Sequence, residues 1–301
     1  MSNLPDAHPA VSAETARALV DSQFPQFAEL PLGDMTFGWD NAMVRLGDSL
    51  AVRMPRIPES VGSLLKERDL LHRLGEAWTF PFPRIVGDGS PGHGYPWPWS
   101  IITWLPGSIA AERPLSADGA GDLGRALAQV HVPADPNAPL NSEQSVEMEA
   151  RNDVTVSAME AAAVTGGPRG EQLDLGLARS VWERALGAPG PQEQVWAHAD
   201  LHAFNALTRD DGALAGIIDW GDMAACDPAV DLGFACMLTS AEGLEAMFDA
   251  YSETHPVDAA LRARAHGIGL QKAARLAAWH EELTRATGWR GLASLGLVRN
   301  R

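Results

Sequence analysis

Two short polar motifs constrain what this chain can fold into more than any other feature. Residues 198–205 read HADLHAFN, which has the form H-x-D-L-x-x-x-N. Residues 217–221 read IIDWG, and their aspartate follows the asparagine of the first motif by fourteen residues. Between the motifs, residues 206–208 and 214–218 predict two short strands around a turn at Asp210-Asp211-Gly212. The order of loop, hairpin and second loop is more specific than either motif alone.

This order matches the catalytic loop, β-hairpin and metal-binding aspartate of protein kinases. Phosphoryl transfer requires an acceptor hydroxyl held in line and the neutralisation of phosphate charge. Asp200 is therefore predicted to be the catalytic residue that accepts the hydroxyl proton. Asn205 and Asp219 are predicted to bind Mg²⁺, which prefers a few protein oxygens together with phosphate oxygens. The hypothesis makes ATP or GTP the phosphate donor.

Residues 198–232 resemble the aminoglycoside phosphotransferase family, the small-molecule branch of the kinase-like fold. That family commonly has HGDLHPGN, IDFGD or IDWGD, and DPAxDLA, where this chain has HADLHAFN, IDWGD and DPAVDL. Ala199 and Trp220 differ from the Arg and Phe of protein kinases, and Ala199 also replaces a glycine that is usual in the family. The resemblance implies an α+β, protein-kinase-like bilobal fold. A small β-rich N-lobe is expected over 1–105, and a larger, mainly helical C-lobe over 106–301.

The resemblance extends into the expected N-lobe. Residues 42–56 (AMVRLGDSLAVRMPR) resemble its first strands and predict a hairpin that turns at Gly47-Asp48. On this alignment Arg53 takes the place of the strand-three lysine and Glu67 that of its helical partner, with the arginine able to hold both phosphate and carboxylate. Residues 99–107 (WSIITWLPG) resemble the last strand and the hinge. The backbone of Thr103, Trp104 and Leu105 would then hold the purine.

The kinase-like resemblance also implies two supporting residues. His198 would brace the backbone of the catalytic loop, and Asp231 would reach back to hydrogen-bond that loop. A different hypothesis makes His198, Asp200 and His202 a zinc site of a metal hydrolase. No HExxH motif or second histidine cluster completes such a site in the sequence.

Composition limits the partners. The net charge is -16 and no basic stripe is present, so no nucleic-acid partner is expected. No apolar run approaches the roughly 18 residues of a membrane span, and the first thirty residues lack the apolar core of a signal peptide. Two cysteines without a CxxC pair favour a reducing compartment, and we expect the cytoplasm. The oligomeric state is not predicted.

The expected acceptor is a small, cationic, hydroxylated molecule, because a negative cleft concentrates cations. An aminoglycoside antibiotic, and hence resistance by phosphorylation, is the first hypothesis. A macrolide, then an amino alcohol or a sugar, are the alternatives. Glu281 and Glu282 would supply charge and Trp279 an apolar wall beside the catalytic loop. A kinase-like binding module without turnover is a further alternative, against which the intact Asp200, Asn205 and Asp219 argue.

Apolar periodicity, caps and breakers predict the helices. They are expected over residues 11–30, 60–74, 118–131, 145–163, 173–186 and 227–238, with two or three more before the C-terminus.

Overall fold

The computed structural model describes residues 11–299. The first ten residues of the expected N-lobe, and residues 300 and 301 of the expected C-lobe, lie outside the described residues. The chain clusters into two compact units. One contains the chain as far as Ala77 together with Pro81–Leu105, and the other contains Trp78–Phe80 and the chain from Pro106 onward. The predicted α+β class is confirmed, with a sheet in the first unit and mainly helices in the second.

An antiparallel five-stranded sheet organises the first unit, in the order β1-β2-β3-β5-β4. Its strands are β1 (Leu32–Phe37), β2 (Asn41–Leu46), β3 (Leu50–Pro55), β4 (Ile85–Gly89) and β5 (Trp99–Thr103), and its helices are α1 (Ala13–Gln23) and α2 (Glu59–Leu74). The β2–β3 hairpin confirms the prediction. Gly47 takes a positive φ of 61° at its turn, a conformation that glycine adopts without strain. Alternate residues of β2 are buried, as expected for a strand with one face on the core.

The first helix is shorter than predicted. It begins at Ala13, where the Ser12 side chain accepts the Thr15 N–H as an N-cap, but it ends at Gln23 rather than near residue 30. Phe24 leaves the helical region because it precedes Pro25, whose ring disfavours a helical conformation in the residue before it. A 3₁₀ turn over Pro25–Phe27 follows.

Seven helices make up most of the second unit within the described residues. They are α3 (Ala117–Val130), α4 (Asn152–Thr165), α5 (Leu175–Leu186), α6 (Ala229–Phe234), α7 (Ala241–Ser252), α8 (Ala259–Ala277) and α9 (Glu282–Ser294). The strands of this unit are short: β6 (Ser108–Ile109), β7 (Gln172–Leu173), β8 (Val195–Ala197), β9 (Ala206–Thr208), β10 (Leu214–Ile217), β11 (Ala224–Cys226) and β12 (Val298–Arg299). They pair as β10-β9-β6, β11-β8 and β12-β7. No helix among the described residues is both long and apolar enough to cross a bilayer.

Three helix boundaries in this unit differ from the prediction. The helix expected from residue 145 starts at Asn152, because Ser145 instead bonds the Ala225 carbonyl, Oγ to O at 2.6 Å. The helix expected from residue 173 starts at Leu175, because Gln172–Leu173 pairs with β12. Helix α6 ends at Phe234, and residues 235–237 form a 3₁₀ turn.

Two glycines allow α6 and α8 to touch backbone to backbone. A Cβ built on Gly233 would lie 2.4 Å from the Ala265 carbonyl oxygen, and one on Gly269 would lie 2.6 Å from the Gly233 carbonyl oxygen. Side chains at these positions would force the helices apart. The contact matters for the site, because α6 and α8 each contribute a charged residue to it.

We expect Gly233→Ala to lower the free energy of unfolding by about 2 kcal/mol, since overpacking against backbone cannot be relieved by a rotamer change. Chemical denaturation followed by circular dichroism measures this change. Gly176→Ala is the matched control, because that glycine is exposed on α5 and a Cβ built on it would have only an ordinary contact at 3.6 Å. Equal stability of Gly233→Ala and the wild type would contradict the close-contact interpretation.

Candidate active site

A buried carboxylate holds the start of the loop over residues 198–205. Asp231 on α6 is fully buried, and its Oδ2 and Oδ1 accept the backbone N–H groups of His198 (2.7 Å) and Ala199 (3.0 Å). The His131 Nε2 also lies 3.1 Å from Asp231 Oδ2. Burial alone would raise the pKa of Asp231, but the His131 hydrogen bond and the His198 amide outweigh it and lower the pKa. The loop is therefore anchored to α6 through an ionised side chain.

The two predicted motifs are joined through one peptide unit. The His198 Nε2 bonds the Ile218 carbonyl at 3.0 Å, and the Ile218 N–H donates to the Asn205 carbonyl at 2.9 Å. Because a carbonyl only accepts, the His198 proton lies on Nε2. The His198 ring also packs on the buried Trp220, with centroids 4.7 Å apart. Asp219 follows Ile218 directly, so its backbone position is fixed relative to the loop.

This engagement of His198 bears on the zinc hypothesis. Its Nε2 bonds a carbonyl, while its Nδ1 accepts the Asp200 N–H at 3.3 Å. Within residues 11–299, no group of three or more histidine, cysteine, aspartate or glutamate side chains is arranged to hold a metal ion. The His198 ring is therefore used for hydrogen bonds within the fold.

Asp200 is the one acid of the loop over residues 198–205, and it contacts a lysine and a histidine. Its Oδ1 lies 3.2 Å from the Lys272 Nζ on α8, and its Oδ2 lies 3.3 Å from the His202 Nε2. His202 Nδ1 accepts the Phe204 N–H at 3.2 Å, so its neutral form carries the proton on Nε2 and donates it to Asp200. Burial would raise the pKa of Asp200, but His202 and Lys272 outweigh it and lower the pKa far below the ordinary range. Asp200 is ionised at neutral pH.

Asn205 turns an oxygen away from this acid. Its Nδ2 donates to the Asp200 carbonyl at 2.9 Å and to the Asp200 Oδ2 at 3.2 Å. Both donations fix the amide plane, and among residues 11–299 no donor bonds the Asn205 Oδ1. Asp219 is exposed and takes a left-handed backbone conformation, with φ 65°. An outward amide oxygen and an exposed carboxylate are hard oxygen donors, and this set fits Mg²⁺.

In the first unit, the structure brings Arg53 of β3 and Glu67 of α2 together. The Arg53 Nη1 donates to the Glu67 carboxylate, and both residues are buried. At the predicted hinge, the N–H groups of Thr103 and Trp104 donate to the carbonyls of Arg84 (2.9 Å) and Ser49 (2.8 Å). The Leu105 N–H donates to no residue within 11–299. Of the three residues predicted to contact the purine, Leu105 is therefore the one whose backbone N–H can still donate a hydrogen bond.

Comparison with known proteins identifies the family. Residues 36–285 match the model of the phosphotransferase enzyme family, APH. The chain belongs to this phosphotransferase family. It is 32% identical over 216 residues to a homoserine kinase of Azorhizobium caulinodans, and this match covers 67% of the chain and 61% of the relative. The chain thus spans about three fifths of that protein's length.

Solved structures of similar fold include phosphotransferases of two named kinds. A GDP complex of aminoglycoside 2'-phosphotransferase-IIIa has a TM-score of 0.63 at 17% identity, covering 95% of this chain and 98% of that chain. The macrolide 2'-phosphotransferase MphH from Brachybacterium faecium has a TM-score of 0.54 at 20% identity, covering 94% and 99%. These likenesses concern the fold, and they confirm the predicted kinase-like fold.

The backbone conformation at residue 199 explains why the family usually has glycine there, although this chain has alanine. Ala199 stands at that position with φ 66°, in the left-handed region that glycine enters without cost. For alanine this conformation costs roughly 1 kcal/mol or more. The hydrogen bond from the Ala199 N–H to Asp231 holds the strained residue in place.

The structure places the three predicted acceptor residues at the surface. Glu281 and Glu282 are exposed at the start of α9, and Trp279 is 48% exposed beside His280. None of them lines the cavity of about 510 Å³ that the second unit contains. The sequence motifs do not assign Lys272 to the site, although the sequence contains one signal. It is one of only two lysines in a chain whose other 21 cationic side chains are arginines.

We expect Asp231→Asn to lower the free energy of unfolding by about 3 kcal/mol. An asparagine can accept only one of the two backbone N–H groups, and removing one member of a buried charged network is costly. Urea denaturation at pH 7 measures the loss. Asp122→Asn is the control, because Asp122 is an exposed acid of the same unit.

The same substitution should show a characteristic pH dependence. The pKa of Asp231 is lower in the folded state than in the unfolded chain, where it is about 3.9. Its contribution to the free energy of unfolding is therefore complete above the unfolded pKa and is lost as the pH falls through the folded pKa. The stability difference between wild type and Asp231→Asn should therefore be constant from pH 6 to 7 and narrow below about pH 4. A difference that widens on acidification would contradict the assignment.

Proposed function

We propose that this chain transfers the γ-phosphoryl group of ATP or GTP to a hydroxyl group of a small molecule. The observation that carries the proposal is the pairing of Asp200 and Asn205. The Asn205 side-chain amide donates two hydrogen bonds to Asp200 and turns its oxygen outward. Asp200 itself is kept ionised. This arrangement gives one group that accepts a proton and a neighbouring group that binds a cation.

In the proposed reaction Asp200 accepts a hydrogen bond from the acceptor hydroxyl and then its proton. His202 and Lys272 hold the two carboxylate oxygens, so Asp200 is oriented before the acceptor binds. Asn205 and Asp219 would hold Mg²⁺, which when bound neutralises charge on the phosphates. Arg53, fixed by Glu67, would contact phosphate, and the Leu105 N–H would donate a hydrogen bond to the purine.

The acceptor class is an open part of the proposal. Neighbouring structures are named for aminoglycosides and macrolides, and the relative is named a homoserine kinase. A cationic aminoglycoside contacted by Trp279, Glu281 and Glu282 stays a prediction from the sequence, as do the cytoplasmic location and the absence of nucleic-acid and membrane partners. Antibiotic susceptibility of cells expressing the chain, together with phosphate transfer to each candidate, tests the resistance hypothesis.

We expect Asp200→Asn to lower turnover by at least about 100-fold, because a positioned base contributes this much to proton transfer. Nucleotide affinity should change little, since Asp200 faces the acceptor in this mechanism. Product formation and calorimetry with a nonhydrolysable nucleotide measure the two effects. Asp249→Asn, an exposed acid on α7, is the control. Retention of more than a tenth of wild-type turnover would refute the assignment.

Asn205→Ala and Asp219→Ala should each weaken nucleotide binding in the presence of Mg²⁺ and leave binding in EDTA nearly unchanged. The physical reason is that the cation couples these oxygens to the phosphates. Calorimetry with and without Mg²⁺ separates the two conditions. An equal loss of affinity in both conditions would instead indicate a direct or structural role for these residues.

A further inference from the structure

The cavity of about 510 Å³ in the second unit has an unusual charge. It lies among α4, α8 and the segment before α4, and its charged lining residues are Arg151, Lys272, Arg275 and Glu143. Three cations face one acid in a chain whose net charge is -16. The volume falls in the range of small-molecule sites. A polycationic acceptor would meet like charge here, whereas an anionic one would be attracted.

Arg151 supplies the unbalanced charge. It is only 4% exposed, and its guanidinium donates to the Gln144 and Gln271 side-chain oxygens at 3.1 and 3.0 Å and to the Gln144 carbonyl at 2.7 Å. Its Nε is buried without a partner among residues 11–299, and no carboxylate of these residues lies within 4.0 Å of it. A buried guanidinium without a counter-ion is costly, and an anionic ligand would offset that cost.

The neighbouring charges are already matched. Glu143 lies 3.5 Å from Arg275, and Asp200 lies 3.2 Å from Lys272. Asp227, which also acts on Arg151 electrostatically, pairs with Arg264 at 2.6 Å. One positive charge, that of Arg151, remains in excess. A single negative charge on the ligand balances it.

Lys272 connects this cavity to the reacting centre. It lines the cavity, and its Nζ lies 3.2 Å from the Asp200 Oδ1 and 5.0 Å from the centre of the Phe234 ring, which also lines the cavity. A molecule in the cavity can therefore place one end near Asp200 while its other end reaches the arginines.

We propose that the acceptor is a hydroxylated carboxylic acid whose carboxylate binds Arg151 and Arg275 while its hydroxyl faces Asp200. This inference rests on the proposed function. In the step, the acceptor oxygen forms a bond to the γ-phosphorus and the bond from that phosphorus to the β–γ bridging oxygen breaks. The nucleoside diphosphate leaves, and the hydroxyl proton passes to Asp200. Planar arginine forks suit a carboxylate, which they bind through two parallel hydrogen bonds.

Matched acceptors test the carboxylate directly. Phosphate transfer is measured with L-homoserine against 3-amino-1-propanol, with 4-hydroxybutanoate against 1-propanol and with D-gluconate against D-sorbitol, with kanamycin as the polycation. At least one acid should have a kcat/KM about tenfold or more above that of its partner without the carboxylate, because the partner cannot form the charge-assisted hydrogen bonds to the arginines. Preference for 3-amino-1-propanol, D-sorbitol or kanamycin over every acid would overturn the inference.

Substitutions of Arg275 and Arg151 test whether these side chains bind the carboxylate. Arg275→Gln should raise KM for the preferred acid about tenfold with little change in kcat, and leave KM for ATP and for the partner without the carboxylate unchanged. Arg275→Lys should recover part of the loss. Arg179→Gln is the control, because Arg179 has a similar exposed ion pair, with Glu160 at 3.8 Å, and does not line the cavity. Arg151→Gln, if it folds, should abolish the preference for the acid.

Measurement of nucleotide binding distinguishes a failure of the proposed function from a failure of the carboxylate inference. If Mg²⁺-dependent nucleotide binding is absent, the proposed function fails. If nucleotide binds but the acids are not phosphorylated, or if Arg275→Gln affects an acid and its partner without the carboxylate equally, the carboxylate inference alone fails.

Discussion

The hydrogen bonds between Asp231 and the first two amides of the loop over residues 198–205 are the interaction on which the candidate site depends. The loop has no regular hydrogen-bond ladder of its own over residues 198–205, so its conformation must be imposed by a neighbour. Asp231 imposes it from α6 with two backbone contacts, and His131 helps to keep the carboxylate charged. The bond from the Ala199 N–H helps to offset the cost of the left-handed backbone at that residue.

The other groups of the candidate site are connected to the anchored loop by hydrogen bonds and by helix packing. The Ile218 peptide joins the loop to the segment that carries Asp219, and Asn205 is locked by its donations to Asp200. The backbone contact of Gly233 with α8 sets the distance between the helix that carries Asp231 and the helix that carries Lys272. The position of the loop anchor and the position of Lys272 in the cavity are therefore both set by the packing of α6 against α8.

Local patterns in the sequence were sufficient for much of this arrangement. Hairpin β2–β3 follows from alternation and a glycine turn, whereas the Arg53–Glu67 contact was implied by the family resemblance. Helix starts near residues 145 and 173 were misplaced, because the competing bonds of Ser145 and Gln172–Leu173 come from segments 80 and more than 120 residues away. Lys272 and Arg151 could not be placed for the same reason. The Lys272–Asp200 contact spans 72 residues, and the cavity exists only once α4 and α8 have packed.

The anchoring of the loop has a consequence for how the molecule exchanges its amide hydrogens with solvent. Loop amides ordinarily exchange fast because they bond to water. The His198 and Ala199 amides instead donate to a carboxylate with no exposed surface, so their exchange requires α6 to separate from the loop. These two amides should thus exchange at the rate at which the helical core opens, and the start of the loop behaves as part of that core.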